Sequence, residues 1–99
     1  MARYQVFQTK GGAAYLLDVQ NDLLDDLNVR VVVPLMLPQD APKAARRLNP
    51  LFEIEGRNFV MVTQYISAVP AGELGTLAAT LRAHDDTITE ALDMLFQGF

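Results

Sequence analysis

Apolar positions recur along this chain in two rhythms, a short alternating one up to about residue 70 and a helical one at the end. In Thr87–Phe99 the residues Ile88, Ala91, Leu92, Leu95 and Phe96 fall at i, i+3, i+4, i+7 and i+8, which predicts one apolar stripe on an α-helix. Thr87 and Glu90 have the spacing of a capping box, and Asp85 and Asp86 are also suited to cap the start. Gly98 stands where a helix usually stops, because glycine enters the left-handed conformation cheaply. Phe99 follows that stop, so it either packs on the body of the protein or is presented to a partner.

Upstream, Arg3–Gln8 alternates and carries Tyr, Val and Phe, and with a second strand at Ala14–Val19 it flanks Lys10-Gly11-Gly12, which predicts a hairpin. Gln20–Asn28 is acidic with Leu23, Leu24 and Leu27 embedded, and reads as a turn or loop holding Leu23 and Leu24 outward or against a partner. Val29–Leu35 is β-branched almost throughout, so it is expected to be a strand buried on both faces, ending or reaching an edge at Pro34. Met36–Pro50 carries three prolines and reads as a long excursion, with at most a helical turn at Ala44–Leu48. Leu51–Ile54 and Phe59–Gln64 around Glu55–Asn58 predict a second hairpin, and Tyr65–Val69 a further short strand closed by Pro70. Leu74, Leu77 and Leu81 suggest a helical turn broken by Gly72 and Gly75. Many short strands followed by one helix predict a mainly β or α+β protein, with a curled antiparallel sheet covered on one face by the helix.

The chain has 99 residues, which predicts one domain over 1–99. Its 51% hydrophobic content is high for a small monomer, and part of it is expected in a subunit interface. There is no cysteine, so disulfides and thiol chemistry are excluded. No apolar run reaches membrane-spanning length and no leader pattern opens the chain, so a cytoplasmic protein without membrane contact is expected. A net charge of −4 argues against direct nucleic-acid binding by phosphate neutralisation.

Catalytic chemistry is hard to assemble. His84 is the sole histidine, and with no second nitrogen or thiol ligand it reads as a residue at the mouth of the helix rather than a metal ligand. Asp18, Asp22, Asp25 and Asp26 lack the glycine and final glutamate of a calcium loop and read as a solvated loop. Lys43, Arg46 and Arg47 form a small basic patch, either a solvated surface or a contact for an acidic peptide. The expectation is a protein that binds and needs no cofactor.

Several stretches together carry a family resemblance. Asp18-Val19-Gln20-Asn21-Asp22-Leu23-Leu24-Asp25 precedes Arg30-Val31-Val32-Val33-Pro34-Leu35, then come Thr63, Ser67-Ala68-Val69-Pro70, and finally Ile88, Ala91, Leu92, Met94, Leu95, Phe96 and Gly98. In order and spacing these resemble the CcdB toxins of plasmid and chromosomal toxin–antitoxin modules. The resemblance implies a non-enzymatic homodimer with an SH3-like curved sheet and a C-terminal helix. It also implies binding to the A subunit of DNA gyrase, trapping of the gyrase–DNA cleavage complex, and neutralisation by a cognate antitoxin. The family's gyrase contacts fall on Leu23, Leu24, Asp93, Phe96, Gln97, Gly98 and Phe99, and the antitoxin is expected on Lys43, Arg46 and Arg47. The family usually has tryptophan where this chain has Gln97, and asparagine where it has Asp93. Two alternatives stay open: a homologue of this fold with lost or redirected poisoning, and a MazF/Kid-like endoribonuclease toxin.

Overall fold

The computed structural model describes residues 2–12 and 14–98. Seven strands and one helix follow in order: β1 (Gln5–Thr9), β2 (Tyr15–Asp18), β3 (Val29–Met36), β4 (Leu51–Ile54), β5 (Arg57–Met61), β6 (Ser67–Pro70), β7 (Leu74–Thr80) and α1 (Asp85–Gln97). The strands form one antiparallel sheet in the order β4-β5-β3-β2-β1-β7, with β6 paired to β3 beside this path.

β3 is the pivot. One edge pairs with β2 through Val32–Leu35. The other edge is shared, Val29–Val32 with β6 and Leu35–Met36 with β5. β6 and β5 occupy this edge in succession, and the twisted sheet curls into a half-barrel. Pro34 does not end the strand as its missing donor suggested. It sits where the outer edge passes from β6 to β5, and its carbonyl still accepts the Val62 amide at 3.0 Å.

Alternation on β3 buries both faces, as its composition predicts. Val33 and Leu35 enter the main core with Val6, Leu17, Phe52, Phe59, Met61, Leu81, Ile88 and Ala91. Val32 faces the other way, into a smaller cluster with Phe7 and Leu74. Helix α1 covers the main core with Ile88 and Ala91 fully buried and Leu92 packed beside them.

The second hairpin is tighter than Glu55–Asn58. Ile54 pairs with Arg57, and the two-residue turn Glu55-Gly56 has φ of 53° and 80°, the left-handed pair that matches strand twist. The predicted helical turn around Leu74–Leu81 is instead strand β7, lying antiparallel to β1. Gly75 permits that approach, because a Cβ there would come within 2.9 Å of the Gln8 carbonyl oxygen. Thr63–Tyr65 is a 3-10 turn rather than strand, and the following strand is Ser67–Pro70. Helix α1 begins at Asp85, two residues ahead of the capping-box reading, with no side-chain cap. Asp85 and Asp86 in its first turn complement the helix dipole instead.

Candidate functional site

Two exposed features stand out, and both lie in segments singled out from sequence. The first is the turn after β2. Asn21 caps a single 3-10 turn, Asp22–Leu24, by accepting the Leu23 amide on Oδ1 at 2.8 Å. Asp22 Oδ1 accepts the Arg3 amide at 2.8 Å, and its Oδ2 lies 3.7 Å from Arg82 Nη2. The turn is therefore tied at its start, yet its apolar side chains point to solvent. Leu23 is 91% exposed and Leu24 50%.

The second feature is the end of α1. Burial along the stripe declines from Ile88 and Ala91 through half-buried Leu92 and Leu95 to Phe96, which is 69% exposed. Asp93 is half-buried, and Gln97 and Gly98 are exposed. Gly98 takes the left-handed conformation at φ 80°, and its amide bonds the Met94 carbonyl at 3.1 Å, a glycine stop as read from sequence. Phe99 lies outside the described residues. No hydrogen bond or ion pair among the described residues joins the Leu23–Leu24 turn to Asp93–Gly98. The turn is tied to Arg82 just ahead of α1, and thirteen helical residues span about 20 Å. The chain thus presents the two features separately.

Beneath the turn is a polar cluster that the sequence reading missed. Asp18, assigned there to a solvated acidic loop, is fully buried, and Arg30 is 1% exposed. Arg30 Nε donates to Asp18 Oδ2 at 2.9 Å, with Nη2 at 2.6 Å from the same oxygen, while Nη1 donates to Asp25 Oδ1 at 3.0 Å. Asp18 Oδ1 accepts the Gln20 amide at 3.0 Å. Burial pushes the Asp18 carboxyl above its ordinary value of 3.8, opposed by the Gln20 N–H and by Arg30. The available signal was the single arginine inside a β-branched strand, twelve residues after a carboxylate at the end of its neighbour strand.

The basic patch is split. Lys43 and Arg46 are exposed and form no ion pair among the described residues. Arg47, in the left-handed region at φ 68°, bonds Glu90 of α1 through Nε at 2.5 Å. Glu90 therefore braces the loop and does not close a capping box. Asn49 fastens the same loop, donating from Nδ2 to the Met61 carbonyl at 3.0 Å and accepting the Ala45 amide. His84 is exposed with its ring 5.2 Å from that of Phe52. Among the described residues no group of three His, Cys, Asp or Glu is placed to hold a metal ion, and no helix is long and apolar enough to cross a membrane. An open cavity of about 350 Å³ lies between the two hairpins, walled by Tyr15, Leu35, Phe59, Asp40 and Arg57.

Solved structures share this architecture. An endoribonuclease from a mycobacterial species superposes with a TM-score of 0.78 at 18% identity, covering 97% of this chain and 90% of that one. A mycobacterial endoribonuclease in complex with its cognate antitoxin gives 0.77 at 19% identity, covering 97% and 94%. At these identities the likeness establishes the fold. Residues 3–98 match the family model described as CcdB protein, which is nearly the whole chain. The chain belongs to the CcdB family.

Proposed function

We propose that this chain is the toxin of a toxin–antitoxin module, acting without catalysis as a homodimer that binds the A subunit of DNA gyrase and traps its cleavage complex. One observation carries the reading. Leu23 and Phe96 are the two most exposed large hydrophobic side chains among the described residues, and they stand in the two segments that the family resemblance assigns to gyrase. Exposed apolar anchors on a tied turn and at a helix end suit insertion into a protein partner. A two-fold dimer offers a route to joining the turn of one protomer with the helix end of the other, which one protomer keeps apart. Leu27, Val29, Leu51, Tyr65 and Leu77 are also at least one-third exposed and supply apolar area for such an interface. The antitoxin, on this reading, carries an acidic segment that reaches exposed Lys43 and Arg46, with Arg47 available once its bond to Glu90 is exchanged.

Two measurements test this. Sedimentation at micromolar concentration should give a species of twice 11.0 kDa, and an 11.0 kDa species throughout that range would remove the dimer. Titration with purified gyrase A subunit should show binding that Leu23→Ala and Phe96→Ala each weaken about tenfold or more, the cost of a hot-spot side chain. Gln97→Trp should strengthen it by adding a large anchor with few rotamers. Absence of gyrase binding in the wild type, with cleavage of cellular RNA at a defined sequence, would replace this reading with the ribonuclease alternative.

A further inference from the structure

We propose that Asp18, Gln20 and Arg30, together with Asp25, form a positioning device that holds the Leu23–Leu24 turn outward as a pre-organised contact for the protein partner. The proposal rests on the reading of Leu23 and Leu24 as part of the binding surface. Each link is short. Gln20 is 4% exposed, donates from Nε2 to the Leu24 carbonyl at 2.8 Å and accepts the Val31 amide on Oε1 at 2.9 Å. Arg30, anchored on Asp18, reaches past it to Asp25, the next residue of the turn. Leu24 is thus gripped at its carbonyl and at its neighbour's carboxylate, both from groups rooted in β2 and β3.

The arrangement is costly for a purely structural element. A buried guanidinium gives up much of its hydration, and an apolar side chain in a β-branched strand would pack more cheaply. What the cluster holds is a turn whose leucine is 91% exposed and adds nothing to the core. An untied acidic loop with three leucines would fold those side chains onto nearby apolar surface. The tied turn keeps them in solvent and leaves less ordering to be done at binding. This also accounts for the Asp-Val-Gln stretch that carries the family resemblance, whose Asp and Gln are buried.

The test uses the full chain with Gln20→Met, Asp25→Ala, Asp25→Glu and Leu23→Ala. Readouts are amide hydrogen exchange and titration with purified gyrase A subunit. Asp25 is 52% exposed, so Asp25→Ala should leave the melting temperature nearly unchanged. Both Gln20→Met and Asp25→Ala should speed exchange at the Leu23, Leu24 and Asp25 amides about tenfold and weaken gyrase binding about tenfold, with Asp25→Glu restoring most of both. In the Leu23→Ala background Asp25→Ala should add almost nothing, because it acts through that side chain's position. Unchanged exchange at the turn overturns the proposal, and so does a fully additive double variant, which would make Asp25 a direct contact. If Leu23→Ala alone leaves gyrase binding intact, the surface assignment itself fails and the proposal with it. Weakening by Leu23→Ala without any effect of Asp25→Ala or Gln20→Met overturns the positioning alone.

Discussion

Asp18→Ala should destabilise the fold by about 3–5 kcal/mol at neutral pH, whereas Asp25→Ala should cost within about 1 kcal/mol. Both carboxylates bond the same arginine, but their surroundings differ. Asp18 is fully buried, so its loss leaves the buried Arg30 charge with only the half-exposed Asp25 for company. Asp25 already shares its charge with water, and its loss leaves the Asp18 pair intact. Urea unfolding at one fixed protein concentration checks this, since dimerisation would make stability depend on concentration. Equal losses would mean that solvent compensates Arg30. The carboxyl also makes a pH prediction. Burial raises the Asp18 pKa in the folded state, so the folded chain holds that proton more tightly than the unfolded chain does. Its contribution to stability is full below about pH 3.8 and declines as pH rises through the raised folded value. The stability of wild type relative to Asp18→Asn should therefore fall with rising pH over that window. A rise would show that Arg30, rather than loss of water, dominates at this carboxyl.

Ile88→Ala should cost about 2–5 kcal/mol, the range for removing a large side chain from a packed core. Phe96→Ala, on the same stripe, should change stability by no more than about 0.5 kcal/mol. Ile88 is fully buried in the main core with Leu17, Phe52, Ile54 and Met61, so truncating it removes packed apolar contacts and leaves a cavity. Phe96 stands two turns further along, 69% exposed, where the helix has run past the core. Thermal or urea unfolding of the two variants, with gyrase titration in parallel, separates a structural from a presented side chain. Equal losses of stability would show that the helix docks along its whole length.

The local patterns were strong enough to determine much of this protein. The 3.6-residue stripe with its glycine stop specified α1. Alternation specified β1, β-branched composition β3, and flanking turns β2, β4 and β5, each to within a few residues, and the double-faced burial of β3 followed from a run apolar but for Arg30. The exposure of Leu23 and Leu24 was one of two options legible in an acidic, leucine-bearing loop.

Tertiary structure decided what local pattern left degenerate. Leu74, Leu77 and Leu81 have a spacing compatible with a helical turn, and pairing with β1, which Gly75 permits at close range, makes the segment a strand. Pro34 would end an isolated strand and is tolerated inside β3 because two different neighbours share its edge. The stripe on α1 is uniform in sequence, and only the extent of the curled sheet divides it into buried Ile88 and exposed Phe96. Asp18 and Arg30 are twelve residues apart, one reading as loop and the other as a charge in a strand. A buried ion pair has no periodicity. Register between β2 and β3 creates it, by setting Asp18 opposite Val32 and leaving Arg30 within reach.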